Sequence, residues 1–248
     1  MPLGGRWAPY YDRYGAIPLV YGSLMVVFGA ILIAVPLGVS SAIFLTEYTP
    51  RRLKEIVRPA IELLAAIPSI IYGFLGMIFI APAITQLFNI PLGRTALTGS
   101  IVLSMMVAPT IVSISSDVMS SVPREYRMAA IALGATKWQV IRGVVIPTAM
   151  PGIVASILLA FGRAVGETVA VLMASGCVAE MPSPLWNYLN PVHTLTAAIA
   201  LDMGEVAMGS MHYHALFGLG VILFAITFTV NTAAGLLMKG ALRRMIRV

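Results

Sequence analysis

The chain of 248 residues is too hydrophobic for a water-soluble domain, because 59% of its residues are hydrophobic and only 10% are charged. So few polar side chains cannot cover the surface of a soluble protein of this size. The formal charge of +6 is divided among short basic clusters between apolar runs, which indicates a membrane-topology signal and argues against a nucleic-acid partner.

Apolar runs of roughly 20 residues, the length of a helix that crosses the hydrocarbon core, recur along the chain. They predict an all-α polytopic membrane protein in which residues 1–248 form a single transmembrane domain with five helices. The five spans are expected at about 20–46, 57–83, 96–116, 147–175 and 213–238.

The basic residues predict the orientation of these spans. Twelve of the sixteen lysines and arginines lie in segments that alternation places on one side of the membrane: Arg51, Arg52, Lys54, Arg58, Arg124, Arg127, Lys137, Arg142, Lys239, Arg243, Arg244 and Arg247. The positive-inside rule then places the N-terminus outside and the C-terminus in the cytoplasm. Because residues 1–15 contain no apolar stretch that could start export, we expect a preceding anchor helix.

The predicted second span contains helix breakers in the sequence AAIPSIIYGFLGM, which includes Pro68 and Gly73. Such breaks usually produce kinks and close helix packing in membrane proteins. Alternatively, unwound turns beside Ser69 and Tyr72 face a translocation pathway, as in transporters generally.

The segment 118–146, between spans three and four, predicts a bent pair of short cytoplasmic helices. Gly134 permits a sharp change of direction between them. Ala129 and Ala130 leave a flat face that another protein can approach closely. The alternative is an amphipathic helix that lies on the membrane surface.

Span four contains two charged residues, Arg163 and Glu167, in the sequence FGRAVGETVAV. A charge at the bilayer centre costs roughly 2.5–3.5 kcal/mol on insertion-based scales, so both side chains are expected to face the interior of the bundle. A separation of four residues places them one helical turn apart on the same face. The pair either fixes helix packing alone or takes part in transport.

Three histidines invite a metal-site hypothesis: His193, His212 and His214. All lie in or beside the outside loop 177–212, where HTLTAAIALDM predicts a short helix. No Cys, Asp or Glu accompanies them at a recurrent ligand spacing, so we predict no metal site. Asp202 and Glu205 are interpreted as solvated.

The segment 118–146 resembles the cytoplasmic coupling loop of ABC importer permeases, whose pattern is Glu-Ala-Ala, three residues, Gly, nine residues and Ile-x-Leu-Pro. Ala129, Ala130 and Gly134 fall in register, whereas Met128 stands where the family usually has Glu. The resemblance implies contact with a separate ATPase through Arg124, Glu125, Met128, Ala129, Ala130, Gly134 and Ala135.

Four stretches are similar to the permeases of the phosphate-specific (Pst) ABC importer, and more to the C-type than to the A-type subunit. They read EYTPRRLKEIVRPAIELLAAIPSIIYGFLG, PREYRMAAIALGATKW, GRAVGETVAV and HYHALFGLGVILFAITFTVN. They cover most of the chain from about Gly15 onward. Members of this family typically have six spans, the first preceding the start of this sequence, in agreement with the expected anchor helix.

This resemblance implies a type I ABC importer permease fold in a prokaryotic inner or plasma membrane. It makes Arg163 and Glu167 pathway residues. A guanidinium offers a planar fork of donors that matches two phosphate oxygens. Glu167 would hold this guanidinium between substrates and accept a proton from phosphate. Thr168, Ser69 and Tyr72 would add neutral donors.

The chain contains no GxxxxGK[ST] sequence, so we expect it neither to hydrolyse ATP nor to hold a cofactor. The resemblance implies a partner dimer of ATP-binding subunits that holds ATP and Mg, and a second homologous permease. It also implies an extracytoplasmic phosphate-binding protein that docks on loops 84–95 and 177–212.

Two alternatives remain open from the sequence. Arg163 would equally serve an ABC permease for molybdate or sulfate, and the charged pair would serve as a proton relay in an ion-coupled secondary carrier. A membrane-embedded enzyme is disfavoured because the sequence shows no nucleophile–base or metal constellation.

Overall fold

A computed structural model of the chain describes residues 6–11 and 13–246, with side chains described through residue 232 and at residue 235. A short antiparallel hairpin comes first, formed by β1 (Trp7–Ala8) and β2 (Arg13–Tyr14). Eleven α-helices follow within the described residues: α1 (Ile17–Ile43), α2 (Arg51–Ala66), α3 (Ser69–Leu75), α4 (Ala81–Phe88), α5 (Ala96–Ser120), α6 (Arg124–Ala132), α7 (Lys137–Val140), α8 (Ile146–Gly166), α9 (Val169–Ala174), α10 (Leu195–Asp202) and α11 (Met211–Ile246).

Some of these helices are joined by single π-helical turns rather than by loops. The turns comprise Phe44–Tyr48 after α1, Gly76–Ile80 between α3 and α4, and Ile141–Val145 between α7 and α8. A π-helical turn inserts one residue into the helical repeat and locally changes the direction of the side chains. The joined elements therefore form longer rods with a local irregularity.

Within the described residues, five helical segments are long and apolar enough to cross a membrane. They are Ile17–Tyr48, Ser69–Phe88, Ala96–Ser120, Lys137–Gly166 and Met211–Thr232. The prediction of an all-α membrane protein with five spans is confirmed. The orientation of the termini stays a prediction.

The second span begins later than the sequence predicted. The expected range of about 57–83 covers two elements, because α2 ends at Ala66 and α3 begins at Ser69. Pro68 between them is extended, with φ −57° and ψ 137°. Proline disfavours the helical conformation for the residue before it, which explains why the helix is interrupted at Ile67.

The fourth span also has different bounds. It begins at Lys137, ten residues before the expected start at 147, and it ends at Gly166 instead of continuing to 175. The amide of Glu167 bonds to the carbonyl of Ala164 at 3.3 Å, which tightens the last turn of α8. A new short helix, α9, follows from Val169.

The chain forms two compact units. The first comprises the described residues up to Ile33 together with Ile67–Met106 and Phe161–Val230. Its hydrophobic core includes Trp7 of the hairpin, Leu19, Leu195 and Leu216, all buried.

The second unit comprises Ala34–Ala66, Val107–Ala160 and the described residues from Asn231 on. Leu45, Met119 and Val145 are buried in its core. The hydroxyls of Ser115 and Ser156, 2.9 Å apart, satisfy each other in this interior. The expectation that residues 1–248 form a single domain stays a prediction.

Close contact between α8 and α5 in the second unit depends on Gly152. A Cβ atom at this position would overlap the side chain of Val118. We expect Gly152→Ala to lower the free energy of unfolding by about 1–3 kcal/mol because the added methyl overpacks the interface. A thermal unfolding measurement in detergent detects this loss as a lower midpoint temperature.

Gly143→Ala is the matched control, since a Cβ atom there meets no atom of the described residues within 4 Å. This change should leave the midpoint unchanged or raise it slightly, because Ala favours helix over Gly by about 1 kcal/mol. Equal midpoints for the Gly152 variant and the native chain would contradict the close packing of α8 on α5.

Candidate functional site

The two charged residues of span four lie on either side of a helix end. Arg163 is in the last turn of α8 and is exposed on this chain, whereas Glu167 follows the helix and is half-buried. The sequence placed both residues one turn apart in a continuous helix. The break after Gly166 separates them into different elements.

Hydrogen bonds stabilise the break between α8 and α9. The Glu167 side chain accepts a bond from the amide of Ala170 through Oε1 at 3.2 Å. Its backbone carbonyl accepts a bond from the Thr196 hydroxyl, on α10, at 2.8 Å. Backbone groups freed within a membrane need such partners. Glu167 therefore has a structural role at this break, which the sequence did not indicate.

Helix α3, which carries two further predicted residues, packs against α9 beside this break. Gly73 allows α3 to contact α9, since a Cβ atom there would lie 3.0 Å from the Cα atom of Ala170. Tyr72, one residue earlier, is buried, and the positive charge of Arg163 acts on its hydroxyl group. Ser69, the first residue of α3, is half-buried, as is Thr168 beside Glu167.

The space beside Gly166, three residues after Arg163, is open. A Cβ atom on Gly166 would meet no atom within 4 Å in the part of the chain that the structure describes. Val169 on α9 and Ile70 on α3 are exposed. Arg163 is thus an exposed charge in the last turn of a membrane-spanning helix, an arrangement that suits contact with another protein or with a polar passage and is unfavourable in lipid.

The segment 118–146 has the predicted bend. Helix α6 ends at Ala132, Gly134 adopts a left-handed φ of +84°, and α7 begins at Lys137. The Thr136 hydroxyl accepts a bond from the amide of Gln139, whose side chain accepts one from the Thr136 amide, so α7 begins with a capping box. This cap fixes the direction of the chain after the bend.

The predicted coupling residues lie on an exposed surface of this bend. Arg124, Glu125, Met128, Ala129 and Gly134 are exposed. Ala130 and Ala135 are half-buried and pack against the core of the second unit. Nonpolar side chains predominate here: Met128 is 64% exposed and Leu133 is 90% exposed. The bend therefore presents an apolar surface that remains uncovered in the chain by itself.

Sequence reasoning missed an ion pair at this bend. Arg127, one residue before Met128, pairs with Glu47 at the end of the first span. The two residues are separated by 80 positions, and no local pattern relates residues so far apart. The only available signal was an acidic residue next to the end of an apolar span.

The three histidines in and beside residues 177–212 have different surroundings. The Nε2 atom of His212 lies 3.1 Å from Oδ2 of Asp202, and its ring contacts Trp7 and Tyr14. The interpretation of Asp202 as solvated is therefore wrong, because α10 and α11 bring it to His212. Glu205 is exposed. Among the described residues, no three His, Cys, Asp or Glu side chains form a group that could hold a metal ion.

His193 is buried in the same region. Its side chain lines a cavity of about 580 Å³ together with Trp7, Cys177 and His212. Only 5% of His193 is exposed, and Nδ1 has no hydrogen-bond partner among the described residues. Burial lowers the pKa of His193, and the charge of Asp202 opposes this effect in part.

We expect the free energy of unfolding to fall as pH decreases below about 6.5, the ordinary pKa of histidine. The unfolded chain then binds a proton that buried His193 does not bind, until the pH reaches the lower pKa of the folded state. His193→Asn should make the thermal midpoint less dependent on pH between about 7.5 and 5.5. His214→Asn, at an exposed position, should not. Equal pH dependence in the His193 variant and the native chain would contradict this assignment.

Comparisons with known proteins agree with this architecture. The family model for the binding-protein-dependent transport system inner membrane component matches residues 34–247. A probable ABC transporter permease protein of Bacillus subtilis, YqgH, is 42% identical over 216 residues, which cover 87% of this chain and 69% of that protein. The phosphate transport system permease protein PstC of Mesorhizobium japonicum is 39% identical, over 92% of this chain and 74% of its own.

Solved structures show the same fold at low sequence identity. An inward-facing MetNI methionine ABC transporter matches with a TM-score of 0.69 and 18% identity, covering 91% of this chain and 95% of its own. A bacterial alginate ABC transporter matches with a TM-score of 0.65 and 14% identity, over 90% of this chain and 78% of its own. The chain therefore belongs to the binding-protein-dependent transport system inner membrane components and has the fold of an ABC importer permease.

Proposed function

We propose that this chain is a permease subunit of an ATP-driven importer of inorganic phosphate in a prokaryotic inner membrane. The observation that carries this proposal is the exposed Arg163 in a membrane-spanning helix, close to the break at Glu167. Relatives named as phosphate transport permeases, 38% and 39% identical over most of the chain, favour phosphate over sulfate or molybdate, which Arg163 chemistry alone would also accept.

The exposure of Arg163 supports a second, homologous permease subunit. A guanidinium is always charged, and its contact with lipid inside a membrane-spanning segment would be unfavourable. The open space beside Gly166 can accept a neighbouring helix at close range. A second permease against this surface would enclose Arg163 in a shared polar pathway.

Arg163 would bind phosphate through two parallel hydrogen bonds from its planar fork. Glu167, just beyond the helix end, would compete for the guanidinium and repel the anion, so that phosphate leaves readily. It would also accept a proton from a protonated phosphate oxygen. The hydroxyl groups of Tyr72, Ser69 and Thr168 would supply neutral hydrogen bonds along the passage.

The exposed bend at Gly134 would dock on a dimer of ATP-binding subunits, which hold ATP and Mg. The partner could approach closely at Ala129 and Ala130, and Met128 would supply an apolar contact where the family usually has Glu. Movements of the ATPase would then tilt the spans between inward-open and outward-open arrangements. The remaining predicted contacts beside this surface are Arg124, Glu125 and Ala135.

Two loops of the first unit would receive an extracytoplasmic phosphate-binding protein. The predicted docking segments 84–95 and 177–212 come together where the backbone amides of Ala96 and Leu97 bond to the carbonyls of Asn190 and Tyr188, at 3.0 and 2.8 Å. Because these hydrogen bonds join the two residues that follow the first segment to the middle of the second, a single partner could contact both.

Arg163→Ala should reduce ATP-dependent phosphate uptake by reconstituted vesicles to background, while the variant still copurifies with its ATPase. Arg163→Lys keeps the charge but loses the two-point fork, so we expect uptake about 10- to 100-fold below the native level. Arg52→Ala, at an exposed position of α2, is the control and should transport normally. Near-native uptake by Arg163→Ala, or uptake of sulfate in place of phosphate, would contradict the proposal.

Gly134→Val should uncouple ATP hydrolysis from transport. The φ of +84° strains any residue with a side chain by about 1–2 kcal/mol, although a Cβ atom there meets no atom within 4 Å among the residues described. Backbone strain, rather than crowding, would therefore displace the bend. We expect phosphate uptake per ATP to fall by at least about fivefold, a typical coupling factor.

Gly209→Val is the matched control, because Gly209 has a φ of +82° and equally open surroundings in an outside loop. It carries the same backbone strain away from the ATPase and should leave uptake per ATP unchanged. Equal coupling in the two valine variants would contradict the role assigned to the bend.

A further inference from the structure

An ion pair joins the coupling bend to the end of the first span. The Nη1 atom of Arg127 lies 2.5 Å from Oε1 of Glu47, and its Nη2 atom donates to the carbonyl of Met119 at 2.7 Å. The guanidinium thus connects three elements: α6, the π-helical turn that follows α1, and the last turns of α5. A planar fork with two fixed acceptors holds its partners in one geometry.

This pair is better protected from solvent than the other arginine–carboxylate pairs of the described region. The side chains of Arg127 and Glu47 are 21% and 9% exposed, compared with 93% and 65% for Arg51 and Glu55. Solvent and salt screen exposed pairs. A largely buried pair is screened much less, and the loss of one partner leaves the other charge uncompensated.

The residue next to Glu47 holds the other side of the bend. The Lys137 ammonium lies 4.5 Å from the centre of the Tyr48 ring, a cation–π contact. Glu47 contacts α6, before Gly134, and Tyr48 contacts the first residue of α7, after it. The adjacent pair Glu47–Tyr48 therefore spans the bend, and we name these four residues (Glu47, Tyr48, Arg127 and Lys137) the bend clamp.

We propose that Glu47 and Arg127 are positioning residues that transmit movement of the coupling bend to the first span. This inference rests on the proposed function of the bend. Through the chain itself, α6 is connected only to α5, and through α7 to α8. The bend clamp adds a third connection, to α1, so that a displacement by the ATPase moves three spans together.

Single substitutions that remove one charge test this role. In the assembled complex, Glu47→Gln and Arg127→Gln should lower the phosphate transported per ATP by about tenfold, within the usual range of coupling between linked sites. ATP hydrolysis itself should persist, because neither residue belongs to the ATPase. Glu55→Gln, which breaks an exposed pair by the same chemistry, is the matched control and should have no effect.

The charge swap Glu47→Arg with Arg127→Glu distinguishes pairing from a general need for either residue. If the pair transmits movement, the swap should recover most of the phosphate transported per ATP. Native stoichiometry in both single variants, or an assembled swap that stays uncoupled, would overturn the proposal. Loss of assembly in the single variants and in the swap alike would make the pair a folding contact and would also overturn it.

Failure of the proposed function gives a different result. In that case the native complex itself would not transport phosphate when ATP is supplied, and this result would not depend on the variants. If only the bend-clamp proposal fails, the native complex transports phosphate normally. The failure then appears in the phosphate transported per ATP by the variants.

Discussion

A permanently charged side chain in a membrane-spanning helix must be kept away from lipid. Arg163 is exposed on this chain, in the last turn of α8. Arg163 lies three residues before the end of its span, and contact of a permanent charge with lipid inside a span costs free energy. This group has to be covered, and the second permease that we propose would cover it beside the break after Gly166.

Hydrogen bonds satisfy polar groups at the break between α8 and α9. Glu167 accepts a bond from the amide of Ala170, and Thr196 donates to the Glu167 carbonyl. Unwound backbone is tolerated in membranes where it lines a cavity or is buried in protein. The same glutamate thus holds the break and lies beside the proposed phosphate ligand, Arg163.

Local sequence signals predicted most of the fold because they depend on short-range physics. The five apolar runs had the length of spans, and Gly134 occupied a position that needs a positive φ. The second span was placed too early because hydropathy continued across Pro68, although proline interrupts the helix there. The end of α8 was not predicted, because the sequence does not distinguish a carboxylate that caps the following helix from any other acidic residue.

Contacts between distant residues, such as that of Glu47 with Arg127, are made by helix packing, and no spacing rule relates such residues. The exposure of Arg163 was not predicted either, since the sequence of one subunit does not specify which of its surfaces face a partner.

The most direct test is a structure of the assembled complex with phosphate trapped in the membrane region. The account predicts that the Arg163 guanidinium lies about 3 Å from phosphate oxygens, inside a passage enclosed by this chain and a second permease. A guanidinium directed away from the passage, in contacts that are identical with and without phosphate, would contradict it.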